Sequence, residues 1–144
     1  MRVGDVLSTK DQRLISITPE ASVREALALF VEHNIGSLPV VDASGKLVGI
    51  FTERDVLYGD HRGPEEFHRQ IVKEVMTPDP LTCSSNEAVH EVMGKMSRNR
   101  VGQLPVVDEG KLVGVVSVGD LIKALYSHAE AANQQLTAFL YGPG

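Results

Sequence analysis

Apolar and polar positions alternate along the chain in segments that predict a series of short helices and strands. A brief apolar segment at residues 15–17 predicts a strand. Ser22 and Glu25 then have the spacing of a capping box, which predicts the start of a helix. An apolar stripe at three- and four-residue intervals predicts the buried face of that helix. The members of the stripe are Val23, Ala26, Leu27, Phe30 and Val31.

Two strands rich in Val, Ile and Leu follow in quick succession. They are separated by Asp42–Gly45, and a short polar turn that ends in glycine is typical of a β-hairpin. A second helix is predicted directly after Thr52. Together with a short opening turn at residues 3–7, these segments predict the order β-α-β-β-α.

The same order returns in the second half of the chain, because the sequence repeats itself. The segment Ile35–Asp42 (IGSLPVVD) reappears as Val101–Asp108 (VGQLPVVD), 66 residues later. The segment Gly45–Thr52 (GKLVGIFT) reappears as Gly110–Ser117 (GKLVGVVS), 65 residues later, since the second turn is one residue shorter. Two adjoining blocks of such similarity indicate an internal duplication.

One unit of this size buries too little surface to be stable alone, and its strands are apolar almost throughout. We therefore predict an α+β fold in which two βαββα units pack sheet to sheet about a pseudo-twofold axis, with two symmetric clefts between them. The predicted boundaries are 1–60 for the first unit, 61–71 for a polar linker, 72–127 for the second unit and 128–144 for a helical extension. An apolar stripe from Leu121 to Phe139 predicts that the last helix packs on the core or, preferably, on a second subunit, which favours a homodimer.

Composition and charge narrow the classes of function. The net charge is −5, without a basic segment, so a nucleic-acid polymer is not an expected partner. The lone Cys83 can form neither a disulfide within the chain nor a Cys-rich metal site, which favours a reducing, cytoplasmic location. No apolar run approaches the ~18–20 residues of a membrane span. The histidines are scattered and no nucleophile is matched with a base, so we predict no metal site, no catalytic cofactor and no enzymatic activity.

The strongest candidate chemistry lies where the last strand of each unit meets its last helix. Thr52 and Asp55 occupy this place in the first unit, and Ser117 and Asp120 in the second. A hydroxyl at the helix N-cap leaves backbone N–H groups and the positive end of the helix dipole facing an anion such as phosphate. A carboxylate three residues later can accept hydrogen bonds from the two hydroxyls of a ribose. The same spacing is also that of a capping box, which stabilises a helix without any ligand, so both interpretations stay open.

The combination Leu-Pro-Val-Val-Asp, Gly-Lys-Leu-Val-Gly and Thr/Ser-x-x-Asp, present twice, resembles a cystathionine-β-synthase (CBS) domain pair. The resemblance extends from Val3 to about Tyr126. It implies a stand-alone regulatory module that binds AMP, ADP, ATP or NAD, or less favourably S-adenosylmethionine, in the clefts between the units. Its output would pass through a partner protein. The alternative is a ligand-free module for assembly.

The resemblance also implies roles for individual residues. Asp55 and Asp120 would bind ribose hydroxyls, with Thr52 and Ser117 near the ribose or the phosphate. Backbone and apolar side chains of both units would enclose the adenine. The residues implied for adenine are Ile15, Ile17, Ile35, Leu81, Cys83 and Val101.

Two arginines break the symmetry of the repeat. Arg54 has Gly119 as its counterpart, whereas Arg100 has Asn34. If both arginines reach phosphates, they do so from opposite units, and the two clefts differ in charge and affinity. Each arginine could equally belong to the solvated surface, where an ion pair contributes only about 0–1 kcal/mol.

Overall fold

The computed structural model of the chain describes residues 1–10 and 13–141, and it confirms the α+β fold with two repeated units. The end of the predicted extension, residues 142–144, lies outside the described residues. The elements in chain order are α1 (Val3–Ser8), α2 (Val23–His33), β1 (Ser37–Val41), β2 (Leu47–Thr52), α3 (Glu53–Arg62), α4 (Pro64–Arg69), α5 (Val72–Val75), β3 (Thr77–Pro78), α6 (Val89–Asn99), β4 (Gln103–Asp108), β5 (Lys111–Ser117) and α7 (Val118–Tyr141).

An antiparallel hairpin forms the centre of each unit. β1 pairs with β2 and β4 with β5, and both pairs shift register at the equivalent place, after Val40 and after Val106. The hairpin turns contain Gly45 at φ 86° and Gly110 at φ 78°, a left-handed conformation that glycine adopts without a Cβ penalty. The repeated sequence blocks therefore fold into equivalent hairpins.

The strand predicted at residues 15–17 is reduced to a single parallel bridge. The N–H of Ile17 donates to the carbonyl of Pro39 at 3.0 Å, and the carbonyl of Ile17 accepts from the N–H of Val41 at 2.9 Å. Cys83 makes the two equivalent bonds in the second unit, at 3.1 and 2.8 Å. These bonds hold the segment that leads into each cleft against the hairpin of its own unit.

Each unit has its own apolar core, but the opening helix of the other unit completes it. α1 begins the first unit, yet its Val3 and Val6 are buried in the core of the second. α5 begins the second unit, yet its Val72 is buried in the core of the first. Backbone hydrogen bonds hold both helices in place: the N–H of Val3 donates to Glu87 at 3.0 Å, and the N–H of Val72 donates to Ala21 at 2.8 Å. The two units thus exchange their opening segments.

The exchange also accounts for the last glycine of the Gly-Lys-Leu-Val-Gly motif. β3, which follows α5, pairs with β2 of the first unit at Gly49. The side chain of Met76 lies so close to Gly49 that a Cβ there would collide with its sulfur. Leu7 lies equally against Gly114 in the second unit, 2.8 Å from where a Cβ would be. Glycine therefore permits the close approach of each exchanged segment.

Residues 61–71, predicted as a linker, are largely helical. Arg62 ends α3, and α4 begins at Pro64, where proline fits because the first N–H groups of a helix need no partner within it. Phe67 of α4 is 2% exposed, and its ring centroid lies 6.3 Å from that of Phe51 in the first core. The buried ring of Phe67 therefore fastens this largely polar segment to the first core.

The apolar stripe predicted for α2 faces the first core except at one position. The predicted cap is present, since the N–H of Glu25 donates to Ser22 Oγ at 3.1 Å. Val23 and Ala26 are fully buried, whereas Val31 is 83% exposed. At 3.6 residues per turn, Val31 is rotated by about 80° from Val23 and so lies beyond the edge of the buried face.

α7 is longer than its contact with the core. Leu121 is fully buried and Leu125 packs against the second core. All side chains from Tyr126 to Tyr141 are exposed, with Leu136 at 55% and Phe139 at 85%. The first two turns of the predicted stripe thus meet the core, and the rest of the stripe faces solvent in a single chain. Within residues 1–10 and 13–141, no helix is both long enough and apolar enough to cross a membrane.

Candidate functional site: two clefts between the units

Two clefts lie between the units, and each joins a hydroxyl–carboxylate pair from one unit to apolar side chains from the other. We call the cleft with Ser117 and Asp120 cleft 1 and the cleft with Thr52 and Asp55 cleft 2. Their volumes are about 380 and 430 Å³, within the range of about 300–1,000 Å³ that is usual for small-ligand sites. Two related clefts are the arrangement that the sequence repeat predicts.

Cleft 1 places the start of α7 opposite the first unit. Ile15 and Ile35 supply apolar surface from the first unit. The cleft is also lined by Lys10, Arg13, Asn34 and Val115. An apolar wall that faces a few convergent polar groups is typical of a site that recognises a small ligand.

Cleft 2 places the start of α3 opposite the second unit. Leu81 and Val101 supply the apolar surface, in positions equivalent to Ile15 and Ile35. Arg54 lines this cleft as well. Further polar lining comes from Glu53 and Thr77. The structure thus brings together the motif residues of the first unit and two residues of the second unit, Leu81 and Val101, for which the resemblance implies a contact with adenine.

Both motif carboxylates also form capping boxes. In cleft 2 the N–H of Thr52 donates to Asp55 Oδ2 at 3.0 Å, and the N–H of Asp55 donates to Thr52 Oγ1 at 3.3 Å. In cleft 1 the reciprocal bonds between Ser117 and Asp120 are 2.9 and 3.0 Å. A carboxylate has about four lone-pair positions, so capping leaves acceptor capacity for ligand hydroxyls. The capping interpretation is correct, and it does not compete with a binding role.

The remaining partners of the two carboxylates differ. Lys10 Nζ donates to Asp120 Oδ2 at 2.8 Å and to the carbonyl of Val115 at 2.8 Å, which places an ammonium group inside cleft 1. In cleft 2 the hydroxyl of Thr77 lies 3.1 and 3.3 Å from the two carboxylate oxygens of Asp55. The partner from the other unit is therefore a charged ammonium group for Asp120 in cleft 1 and a neutral hydroxyl for Asp55 in cleft 2.

The surroundings of Asp120 act on its pKa in opposite directions. Partial burial disfavours the carboxylate and acts to raise the pKa. The hydrogen bond and charge of Lys10, with the N–H of Ser117, favour the carboxylate and prevail, so the pKa of Asp120 lies below its ordinary value of 3.8. Asp120 is accordingly ionised at neutral pH and ready to accept hydrogen bonds.

Replacing Lys10 with methionine is expected to raise the pKa of Asp120, because burial remains while the ammonium partner is lost. Since the folded-state pKa is below the unfolded value, the wild-type pair stabilises the fold above about pH 4 and loses this effect as the pH falls through the folded pKa. Carboxyl ¹³C NMR titration of both proteins measures the shift. An Asp120 titration midpoint that does not move in K10M would contradict the role assigned to Lys10.

Three of the sequence-predicted residues lie outside the lining of both clefts. Ile17 and Cys83 are buried in the two cores, where their backbones pair with the hairpins. Burial also raises the pKa of the Cys83 thiol to about 11, so the thiol stays protonated and unreactive. Arg100 directly follows the last residue of α6, in a left-handed conformation at φ 54° and on the exposed surface. Their binding roles stay predictions.

Several cleft residues were not found by sequence reasoning. Lys10 and Arg13 lie outside the repeated blocks, so no comparison between the units could single them out. Gly36 and Gln103 line both clefts, and a side chain at Gly36 would meet the amide of Gln103. Gln103 stands where the first unit has Ser37, and this difference within the repeat is visible in the sequence. Among the described residues, no group of His, Cys, Asp and Glu is arranged to hold a metal ion.

Comparison with curated proteins gives relatives of two kinds. The chain is 31% identical over 136 residues to the CBS domain-containing protein YhcV of Bacillus subtilis, with 94% of each chain covered. It is 30% identical to protein MJ1225 of Methanocaldococcus jannaschii and 39% identical to inosine-5′-monophosphate dehydrogenase of Korarchaeum cryptofilum. It spans only 45% and 21% of the lengths of these two proteins. The same kind of unit thus occurs both in small proteins and within larger ones.

Solved structures share the fold over most of the chain. The CBS-domain protein ATU1752 from Agrobacterium tumefaciens has a TM-score of 0.81 at 33% identity, covering 86% of this chain and 92% of that one. The structure of CBSX2 in complex with AMP has a TM-score of 0.78 at 31% identity, with coverage of 89% and 98%. The CBS domain pair of MJ0100 in complex with 5′-methylthioadenosine and S-adenosyl-L-methionine has a TM-score of 0.76 at 32% identity, with coverage of 90% and 98%.

The family model of the CBS domain matches the chain twice, at residues 3–61 and 72–127. These two matches cover most of the chain and correspond to the two units that exchange their opening segments. Together with the two clefts and the solved structures, they confirm the resemblance seen in the sequence. The chain belongs to the CBS domain family and is a pair of CBS domains.

Proposed function

We propose that this protein is a regulatory module that binds an adenosyl ligand in the clefts between its two CBS domains. The ligands that we favour are AMP, ADP, ATP and NAD, with S-adenosylmethionine as a less favoured choice. The observation that carries the proposal is the composition of the clefts. Each one joins a helix start with an ionisable carboxylate to an apolar wall of the opposite unit.

Each part of the cleft suits one part of such a ligand. Asp55 and Asp120 have acceptor capacity beyond their caps for the two ribose hydroxyls. The N-termini of α3 and α7, capped by Thr52 and Ser117, favour a negatively charged group. The adenine ring would pack between apolar side chains, while its N6 amine and N1 pair with backbone of the segments before Ile17 and Cys83. Both segments are already fixed by the parallel bridges.

The relatives support the ligand class. The MJ0100 domain pair, in complex with two adenosyl compounds, and CBSX2, in complex with AMP, share about a third of their residues with this chain. The protein would act without catalysis, because its motif carboxylates are engaged in caps and its thiol is buried. We propose that the output passes to a partner protein and that the protein is a homodimer. A cytoplasmic location stays a prediction.

Addition of AMP to 100 times its Kd is expected to stabilise the folded protein by about 2.7 kcal/mol. For a chain of this length, that corresponds to an increase in Tm of about 5–10 °C. Differential scanning calorimetry with AMP, ATP, NAD, S-adenosylmethionine and, as a matched control, GMP measures the effect. An equal response to GMP and AMP would contradict recognition of adenine.

A ligand-free assembly module is the second candidate, and the exposed apolar side chains of α7 favour it. Tyr126, Leu136, Phe139 and Tyr141 are each more than half exposed in a single chain, although their surface is apolar. A stable oligomer whose Tm responds to none of the adenosyl compounds would support this function in place of ligand binding.

A further inference from the structure

The described linings of the two clefts differ in the sign of their net charge. Among the described residues that line cleft 1, Lys10 and Arg13 are cationic and Asp120 is the one carboxylate. Among those that line cleft 2, Glu53 and Asp55 are carboxylates and Arg54 is the one cation. Over the residues that the structure describes, the lining of cleft 1 therefore has a net positive charge and that of cleft 2 a net negative charge. The difference comes from Lys10 and Arg13, which lie outside the repeated blocks, because the charges of Glu53 and Arg54 cancel and their counterparts Val118 and Gly119 are neutral.

Lys10 is positioned to act on a ligand as well as on Asp120. Its ammonium group has three N–H donors, of which one reaches Asp120 and one reaches the carbonyl of Val115. The third donor is available to a further acceptor in the cleft that Lys10 lines. The side chain is only 21% exposed, so its interactions are less screened than those of a surface lysine.

Cleft 2 lacks this arrangement. The group that contacts Asp55 from the other unit is the neutral hydroxyl of Thr77, which adds no charge. Arg54, the cation in its lining, stands directly between Glu53 and Asp55 in the sequence and is offset by them. In cleft 2 the N-terminus of α3 would attract a phosphate group, but the net negative charge of the described lining would oppose it. In cleft 1 the N-terminus of α7 and the cationic lining would act together.

We propose that cleft 1 prefers adenosine compounds with a 5′-phosphate, whereas cleft 2 prefers uncharged or cationic adenosyl compounds such as 5′-thioether nucleosides. Lys10 is the residue that determines the preference of cleft 1. This assignment rests on the proposed function, because it requires that both clefts bind an adenosyl group. The protein would then bind two chemically different adenosyl ligands, one in each cleft.

Isoleucine methyl groups distinguish the clefts, since Ile15 and Ile35 line cleft 1 and Ile50 lines cleft 2. Methyl NMR titrations of the ¹³C-labelled full chain would use AMP, adenosine and 5′-methylthioadenosine. We expect AMP to shift the Ile15 and Ile35 signals at concentrations below those that shift Ile50. We expect 5′-methylthioadenosine to act in the reverse order. Equal response of both clefts to AMP and 5′-methylthioadenosine would overturn the assignment.

The variant K10M tests the role of Lys10. Loss of one charge-assisted contact is expected to weaken AMP binding in cleft 1 about tenfold or more, while adenosine binding there is retained. K10R should preserve AMP binding, and K46M, a lysine exposed in the first hairpin turn, should have no effect. Equal weakening of AMP and adenosine in K10M would show that Lys10 only positions Asp120. If none of the three compounds shifts any of these methyl groups in the wild-type protein, the proposed function itself fails.

Discussion

Replacing Asp55 with alanine is expected to weaken binding of an adenosyl ligand in cleft 2 about 100-fold, because two hydrogen bonds from ribose to a charged acceptor are lost. The free energy of unfolding should fall by only about 1 kcal/mol, the usual contribution of a helix cap. Asp120→Ala should have the same effect on cleft 1. Isothermal titration calorimetry gives the affinities, and urea denaturation gives the stabilities.

Asp42→Ala is the matched control for this substitution. Asp42 also accepts hydrogen bonds from nearby backbone, here in the first hairpin turn, but it lies outside both clefts. Its loss should lower stability by a comparable amount and leave affinity unchanged. If Asp55→Ala and Asp42→Ala reduced binding only in proportion to their loss of folded protein, Asp55 would be a helix cap and nothing more.

Replacing Phe67 with alanine is expected to lower the free energy of unfolding by about 3–5 kcal/mol, because a buried aromatic ring leaves a cavity in the first core. Phe139→Ala is the control: the ring of Phe139 is 85% exposed, and its loss should change stability by less than about 0.5 kcal/mol in a single chain. Urea denaturation monitored by circular dichroism compares the two. A small effect of Phe67→Ala would mean that α4 is not part of the folded core.

The elements that sequence reasoning predicted well are those with a strong local signal. The hairpins combine strands of branched apolar residues with a turn that contains glycine, and the repeat supplies each signal twice. The starts of α3 and α7 were also predicted, because Thr52 with Asp55 and Ser117 with Asp120 have the spacing of a cap. At the hairpins and at these helix starts, the local sequence preference matches the conformation in the folded protein.

The parts that could not be predicted depend on contacts between distant residues. Phe67 lies in a largely polar segment, and no periodicity shows that it is buried. The exchange of α1 and α5 was also hidden, since helices of six and four residues have almost no signal of their own. The close packing of Met76 explains why glycine is needed at Gly49, the last position of the Gly-Lys-Leu-Val-Gly motif. This contact is apparent in the structure and could not be predicted from the sequence.

The candidate site likewise contains residues that the sequence predicted from local patterns and residues that only the structure brings into the clefts. The residues at the helix starts were found, because their role as caps and their suitability for ribose phosphate use the same side chains. Lys10 was not found, because it reaches Asp120 from 110 positions earlier in the chain. Arg54 and Arg100 were both candidates for a phosphate contact or for the solvated surface. The structure places Arg54 in the lining of cleft 2 and Arg100 outside both linings, whereas Lys10 and Arg13 line cleft 1.

Because α1 and α5 are exchanged, each CBS domain contributes a helix to the core of the other, and the two domains are held together by these contacts. A cut between α3 and α4 would leave α1 joined to the second core by noncovalent contacts alone. The exchanged helices also oppose any wide opening of the clefts, because separating the two units would pull α1 or α5 out of the core in which it is buried. Under the proposed function, a change in cleft 1 would reach solvent through α7, which starts at Val118 beside the cleft residue Asp120 and extends beyond the core.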